Sequence, residues 1–572
     1  MEFNNIVPPN EDLIDSYWVS DGLEPCFQKW ARQNPVLISA QTGHGKNHFI
    51  MKKLIPFAVS TGQQVFLLSN RVALGIQQKK ELLDALGFPN IYSDEELRKM
   101  ENFGLVHVWS YQSVLKHINE ISALVQQEPI PMHYLVLDEA HFFLSDAPFN
   151  AYTELIFWQL LYAAQYCKRI YMTATPENIL PLINEYEQSK YIMENRQRVL
   201  LWEVSQVVRS TNSENTRQDN FQIEFPVHVY TFKRDYSRYD VTFFTDWKHL
   251  YARLQHASAT NKWLCFVNSE ERQSKIKSEL KNLQPNLQID CFDASKKQEG
   301  NKAWEKILDG KIPGFILLST SVIDNGVNMT DPDLHNIVLE ATDKVAFLQM
   351  LGRKRLKDNE VINVFVRVPT EAELKKQILD IEKYLQNLRS YYNSSHDFFQ
   401  TTWPSFTPEL QRLFWISNEP NGIHFVPNNF AYRELAIRHQ FFSSLLFDMQ
   451  HADKPKDVYP LKVFEWLEFP DCRKTISWIT DEAERAAIRE LVELLNSNSD
   501  CGISKEDQNN FYERFMSIVQ AIAYQRPTQR DDKRSSLATI IRHLDCLLDK
   551  LPMKYELKKD GNSWRVEKLE KC

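Results

Sequence analysis

The segment Ser39-Ala40-Gln41-Thr42-Gly43-His44-Gly45-Lys46-Asn47 places two glycines, a lysine and an amide in one short loop. Glycine at 43 and 45 lets backbone N–H groups approach an anion without a Cβ in the way. A lysine at 46 reaches the outer phosphates of a nucleotide held there. Loops of this kind usually carry Ser or Thr after the lysine, whose hydroxyl binds Mg²⁺. Here Asn47 stands in that place, and its amide oxygen is also a hard ligand. Further on, His133-Tyr-Leu-Val-Leu-Asp138-Glu139-Ala140-His141 ends an apolar run with two adjacent acids. One carboxylate can hold Mg²⁺ and the next can orient and deprotonate a water. Two acids closing a buried strand are costly without a cation, so the pair points to chemistry rather than packing.

These groups need a scaffold that brings strand ends together. From Pro35 to about Thr175 the runs PVLIS, QVFLLS, LVHVWS, YLVLDE and RIYMTAT alternate with helix-length segments. Rich in β-branched residues, they predict buried parallel strands. A second series, WLCFV, LQIDCF, FILLST, NIVLE and VINVFV, starts at Trp263. Between the two lies a polar stretch, Ser205 to Asn220. HVYTF and VTFF follow it and are expected to form a pair of strands at the entry to the second lobe. After Pro369 the period changes. Leu374, Ile378, Ile381, Leu385 and Leu388 line one helix face. The predicted fold class is α/β: two tandem parallel-sheet lobes followed by a mostly helical C-terminal region. The divisions are 1–205 for the first lobe, 206–235 for the connection, 236–370 for the second lobe and 371–572 for the helical domain.

AQTGHGKN followed by LDEAH resembles motifs I and II of the superfamily 2 helicases of the DEAD/DEAH type. The other motifs follow in register. SNRVALG (Ser69 to Gly75) resembles motif Ia, and SYQSV (Ser110 to Val114) motif Ib. MTATP (Met172 to Pro176) resembles motif III, LCFVNS (Leu264 to Ser269) motif IV, STSVIDNGVNM (Ser319 to Met329) motif V and QMLGRKR (Gln349 to Arg355) motif VI. The resemblance covers roughly residues 25 to 367. It implies two RecA-like lobes that clamp ATP and Mg²⁺ between them and lay a nucleic-acid strand across both. It further implies an ATP hydrolase with Glu139, Arg353 and Arg355 as catalytic groups. Thr42, Gly43, His44, Gly45, Lys46, Asn47, Asp324, Gly326 and Gln349 would contact nucleotide, and Asn47 and Asp138 the metal. Arg71, Asn268, Ser269 and Thr320 would contact the nucleic-acid strand. His141, Thr173 and Thr175 would couple hydrolysis to movement of that strand. Gln28, with Phe27 and Trp30, stands where relatives place an upstream adenine-reading element; the alternative is that Phe27 and Trp30 are core and Gln28 is at the surface.

Three positions depart from the family pattern: Asn47, Asn328 and the end of motif VI. There the arginines are two apart, at 353 and 355, and Leu356 stands where the second is usual. These departures bear on the rate of hydrolysis, so a slow ATP-gated clamp or a scaffold subunit is the alternative to a helicase or translocase. The aromatic stretch Leu388 to Trp415 is expected to be core beneath helices, the alternative being a track or wedge on which bases stack.

Composition limits the partners. Lys and Arg number 67 against 75 Asp and Glu, a net charge of −8. The chain is not a polycation, so contact with nucleic acid must be local or made by backbone amides. The end of the chain, 526–572, is locally basic, with 12 Lys and Arg against 8 Asp and Glu. Among 15 glycines, Gly43, Gly45, Gly326 and Gly352 fall in the nucleotide motifs. No basic start precedes an apolar run, LIFWQLLYAAQY is too short to span a bilayer, and no CxxC pair occurs. The expectation is a cytoplasmic protein with reduced, buried thiols and no membrane. Its partner would be nucleic acid, DNA ahead of RNA, as in bacterial mobile-element or defence-associated helicases, with a protein partner possible through the helical region.

Overall fold

A computed structural model describes residues 8–32, 34–70, 72–88, 92–125, 133–164, 167–188, 226–293, 296, 301–320, 327–357, 359–394, 398, 412–419, 422–479, 482–499, 502–522, 537–548 and 550–569. The first lobe contributes β1 (Asn10–Ile14), β2 (Val36–Ser39), β3 (Val65–Ser69), β4 (Asn102–Phe103), β5 (Val106–Ser110), β6 (His133–Leu137), β7 (Cys167–Thr173) and β8 (His228–Phe232). Their order in the sheet is β1-β8-β2-β7-β6-β3-β5-β4. All pairs are parallel except β4 with β5. The second lobe contributes β9 (Tyr239–Phe244), β10 (Lys262–Phe266), β11 (Ile289–Phe292), β12 (Ile316–Ser319), β13 (Leu334–Leu339) and β14 (Ile362–Arg367), ordered β11-β12-β10-β13-β14-β9.

The apolar runs form interior strands because both faces of each sheet are covered. In β2, Val36 and Ile38 face one apolar cluster and Leu37 the other, the two-residue period of a pleated strand. The run LIFWQLLYAAQY lies on the helix Thr153–Ala163, with Ile156, Phe157, Leu160 and Leu161 buried.

HVYTF and VTFF are strands, but they do not pair with each other. β8 inserts between β1 and β2 of the first sheet, and β9 pairs with β14 of the second. Residues 228–232, expected within the connection, are therefore part of the first sheet. Val229, Tyr230 and Phe232 are buried and β8 is paired on both edges, and adjacency in sequence carried no information about which sheet would take each strand.

The C-terminal region is mostly helical, with additions that helical periodicity did not foretell. The helix Glu371–Asn393 buries Leu374, Ile381, Leu385 and Leu388 and starts at a capping box of Thr370 and Glu373. A hairpin follows, β15 (Phe414–Glu419) with β16 (Gly422–Pro427). The helices Asn429–His451 and Val458–Trp466 come next, then β17 (Ser477–Trp478), which extends the second sheet beside β9. The helices Glu482–Ser497, Gln508–Ala521 and Leu537–Leu547 and the hairpin β18 (Lys554–Asp560) with β19 (Ser563–Leu569) end the fold. In the described part of the 388–415 stretch, Phe398 and Phe414 are buried core, Tyr391 and Trp415 are half-buried and Tyr392 is exposed, so only part of the aromatic run is core.

One apolar core runs through both lobes and the helices that follow them. It joins Leu37, Phe66 and Leu135 of the first lobe to Leu264, Phe266 and Leu317 of the second, and to Phe430, Phe442, Tyr459, Phe464 and Trp466. A separate core, all drawn from residues between 487 and 566, lies in the last helices and hairpin. The described cysteines are free. Cys167 and Cys265 are buried, while Cys472 and Cys546 are exposed because they lie on a short 3₁₀ turn and a helix's outer face. Among the described residues, no helix is long and apolar enough to cross a membrane.

Candidate active site

β2 ends at Ser39 and the chain turns through Gln41–Gly45 into a helix that starts at Lys46. Gly43 and Gly45 take φ of +97° and +80°, a left-handed backbone that a Cβ would strain. The helix runs through a π-turn, Ile50–Leu54, to Ser60. Lys46 is buried, and its Nζ donates to the carbonyls of Ala40 at 2.6 Å and Gln41 at 3.4 Å. Burial pulls its pKa down, and Glu139 and Asp138 oppose that. The lysine is thus held inside the loop by two carbonyls and faced by two carboxylates.

His44 is 1% exposed, with both ring nitrogens unpartnered and the ring against Tyr17 at 4.2 Å between centroids. Burial and then Lys46 push its pKa down to about 4, so it is neutral near pH 7.

The acidic pair leaves the end of β6. Asp138 is buried, and its Oδ1 accepts the Glu139 N–H at 3.1 Å. Glu139 has φ +52°, a left-handed conformation that costs a non-glycine residue about 1–2 kcal/mol. Flanking bonds hold it there: Asp138 N–H to Leu68 O at 2.9 Å and Ala140 N–H to Met172 O at 2.8 Å. The Glu139 carboxylate lies 3.5 Å from His141 Nδ1.

His141 connects the lobes. Nδ1 meets Thr173 Oγ1 at 3.1 Å, and Nε2 meets the Gln349 amide of the second lobe. With the Gln349 N–H donating to Nε2, Nδ1 carries the proton and donates to Thr173. Thr173 also accepts the Thr175 N–H at 3.0 Å, and the Thr175 hydroxyl is buried without a partner. Gln349, expected at the nucleotide, is bonded to His141 instead, because its helix meets the first lobe at the end of β7.

Motif VI presses on the phosphate loop. The helix Lys344–Leu351 stops at Gly352. A Cβ there would lie 2.7 to 3.0 Å from the Thr42 side chain. The chain then extends and bridges to Met329, with Met329 N–H to Arg353 O at 2.7 Å and Arg355 N–H to Met329 O at 2.9 Å. Extended backbone returns to the same side every two residues, whereas a helix does so every three or four. The Arg353 Nε donates back to Gln349 O at 2.9 Å. Lys354 points the other way and is buried on Asp331 O at 2.7 Å and Glu360 at 2.8 Å. Arg355 Nη1 is buried, has no hydrogen-bond partner and lies 3.3 Å from where a Gly43 Cβ would be. Burial, then the charge of Arg353, lowers its pKa to about 10, leaving it cationic.

Thr320, Asn268 and Ser269 leave the carboxyl ends of β12 and β10, where open α/β sheets bind ligands. Asn268 and Ser269 are exposed. The Ser269 hydroxyl caps the following helix by accepting the Arg272 N–H at 3.2 Å. The Asn268 N–H donates to buried Glu340 at 3.0 Å, and Glu340 also pairs with Arg272 and Arg367. Asn268, Ser269, Arg272 and Arg367 line a cavity of about 120 Å³ with Thr342, Glu373 and Gln377.

Some expected residues are placed elsewhere. Phe27 and Trp30 are core, packed on Phe49, and Gln28 is exposed on the 3₁₀ turn between them. Phe27 and Trp30, three apart, share the buried side of the turn and leave Gln28 and Lys29 at the surface. The aromatics beside the loop are Tyr17 and Trp18, with Trp18 Cε3 3.4 Å from a Gly45 Cβ. Arg71, Asp324 and Gly326 lie outside the described residues. Sequence reading passed over Gln41 and Arg234, which tie the interlobe connection to the loop. Their signal was a glutamine inside the phosphate loop and a basic KRDYSR segment between two strands.

Residues 11–178 match the family model of the type III restriction enzyme Res subunit, and residues 246–355 that of the helicase conserved C-terminal domain. Similar solved structures include the Mycobacterium smegmatis helicase Lhr bound to ssDNA and AMP-PNP, 13% identical over 93% of this chain and 73% of that one, TM-score 0.41. The E. coli DExH-box NTPase HrpB is 13% identical over 92% of this chain and 61% of that one, TM-score 0.38. S. cerevisiae Dbp5 bound to RNA and ADP BeF3 is 12% identical over 59% and 80%, TM-score 0.38. No curated protein sequence matches the chain.

Proposed function

From its two RecA-like lobes, which make this chain a superfamily 2 helicase-type ATPase, we propose a translocase or helicase that moves on DNA. One observation carries the proposal. Arg355 of the second lobe brings a buried, unpartnered guanidinium nitrogen to Gly43 of the phosphate loop, opposite Lys46 and the Asp138–Glu139 pair. A cation from one lobe and acids from the other, closed on a loop built for phosphate, form a site that is complete only when the lobes meet.

In this assignment Lys46 exchanges its loop carbonyls for the outer phosphates of ATP. Glu139 accepts the proton of the attacking water, and Arg353 and Arg355 stabilise the charge that develops on the transferred phosphoryl group. His141, Thr173 and Gln349 report lobe closure to the acid pair. The donor set of the Asp138 carboxylate and the Asn47 amide is all hard oxygen and suits Mg²⁺, which would neutralise phosphate charge. Tyr17 and Trp18, partly exposed at the loop, offer ring faces to the base. Thr320, Asn268, Ser269 and the cavity beside them are assigned to the strand backbone. The match of the first lobe to a restriction-enzyme subunit supports DNA. We assign 371–479 to the motor, because it shares the motor's core, and 482–569 to a separate appended unit.

The test is ATP turnover with single- and double-stranded DNA and RNA at stated salt, beside Lys46→Ala and Glu139→Gln. DNA-stimulated turnover that both substitutions reduce at least about 100-fold is the expected result. Turnover equal to both variants overturns the enzyme assignment, and equal stimulation by RNA overturns the DNA preference. Asn47 favours a second reading, a slow ATP-gated clamp. That reading predicts strand binding that depends on ATP, without displacement of a complementary strand.

A further inference from the structure

Residues 233–238 carry the chain from β8 in the first sheet to β9 in the second. A passive tether would be solvated, but this one is pinned. The Gln41 side chain accepts the Asp235 N–H at 2.8 Å and donates to the Asp235 carbonyl at 3.0 Å, as a neighbouring strand would. Arg238 donates to Lys357 O at 2.8 Å, just past motif VI.

Arg234 makes the most connections. Its side chain is 6% exposed. Nη2 donates to the carbonyl of Ala174 at 3.1 Å, between Thr173 and Thr175, and approaches Ser39 Oγ at 3.5 Å. Nη1 pairs with Glu468 at 3.0 Å and lies 3.6 Å from Glu177. Glu177 in turn pairs at 2.5 Å with Lys344, the first residue of the motif VI helix. Glu468 ends the helix Val458–Trp466 in a left-handed turn, φ +52°, held by Phe469 N–H to Phe464 O at 3.0 Å. That helix packs on the motif VI helix through Trp466 and Phe347, at 5.4 Å between ring centroids. One buried guanidinium therefore touches the first lobe, the connection and the C-terminal region, and stands one ion pair from the second lobe.

We propose that Arg234 is a positioning residue that couples the C-terminal region, through Glu468, to the Thr173–Thr175 loop and hence to hydrolysis. A planar guanidinium that donates to a carbonyl on one edge and a carboxylate on the other cannot shift for one without weakening the other. A displacement of the helix end at Glu468 is thereby felt at Ala174, the residue between the two motif threonines. By reciprocity, lobe closure at the nucleotide biases the C-terminal helix.

The proposal rests on the ATPase reading above, and the experiment separates the two. Full-length wild type, Arg234→Ala, Arg234→Lys, Glu468→Gln and the Arg234→Ala/Glu468→Gln pair are compared for kcat and KM of ATP, with and without saturating DNA, and for thermal midpoint. Arg234→Ala is expected to lower DNA-stimulated kcat about tenfold, with KM for ATP changed less than about threefold. Glu468→Gln is expected to lower it about threefold, and the pair to be no worse than Arg234→Ala alone, the signature of groups acting through one contact. Lysine recovers less than half, because an ammonium does not fork. Stimulated kcat of Arg234→Ala within twofold of wild type overturns the proposal. So do losses that multiply in the pair, or losses that follow the thermal midpoint and vanish with lysine. If no nucleic acid stimulates the wild type, the translocase reading falls, and the same non-additive pattern in basal kcat decides the coupling.

Discussion

Lys46 has no free place in the folded loop other than among carbonyls, so phosphate competes with two hydrogen bonds already made. His44 beside it is neutral because burial, and then Lys46, disfavour its proton. The unfolded chain takes that proton near pH 6.5 and the folded loop only near pH 4, so acidification between these values favours unfolding. We expect the thermal midpoint of wild type to fall between pH 7 and pH 5 by more than that of His44→Phe, whose ring keeps the stacking on Tyr17. Equal falls in both proteins would mean that other groups carry the acid sensitivity. At the opposite wall, Arg355→Ala is expected to lower kcat about 10³-fold with KM for ATP within about threefold, because the charge it meets develops in transfer. Steady-state kinetics at saturating DNA measures this. The sequence resemblance named both arginines but could not say what holds the backbone that carries them. The bridge between Met329 and Lys354 does so, and it is a long-range contact.

At the scale of elements, closure depends on surfaces with no room to spare. Gly352 has an ordinary helical backbone, so its requirement for glycine is steric and comes from Thr42 in the other lobe. Gly352→Val is expected to lower kcat more than tenfold with little change in thermal midpoint, since the clash is between lobes rather than within one. Scattering or inter-lobe fluorescence should show a more open molecule. The helix Asn429–His451 is anchored differently. Asn428 caps it, and its amide also donates to Ala147 O, Asn150 O and Thr153 Oγ1 of the first lobe. Glu154 accepts from Asn429 beside it. Asn428→Ala removes a cap and leaves buried acceptors without a donor, so a loss of about 2–3 kcal/mol in denaturant unfolding is expected. The start of the Glu371–Asn393 helix was legible beforehand from Thr370, Glu373 and an apolar stripe. The β15–β16 hairpin was not, because its pairing partner is supplied by the chain itself and leaves only a short alternation.

At the scale of the whole molecule, the chain divides by its cores rather than by where helices begin. Residues up to 479 build the core shared by both lobes and a further core in each lobe, while 487–566 build their own. Ending the chain after Ile479 is expected to leave DNA-stimulated ATPase within about threefold of full length. Ending it before Val458 removes Tyr459, Phe464 and Trp466 from the shared core, each burial contributing about 2–3 kcal/mol, and should yield unfolded or aggregated protein. Circular dichroism and gel filtration of the two truncations distinguish these outcomes. By itself, the sequence determined the two parallel-sheet lobes, the phosphate loop, the acid pair and the order of the motifs. These follow from local pattern: strand-length apolar runs, glycines where φ is positive, and acids where a strand ends. Only the tertiary structure decided that β8 joins the first sheet and β9 the second. It also decided that Gln349 meets His141, that Arg355 rests on Gly43, and that Arg234 ties the connection to the C-terminal region. Each of those is a contact between segments far apart in the chain. Its energy depends on complementary surfaces that neither segment carries alone.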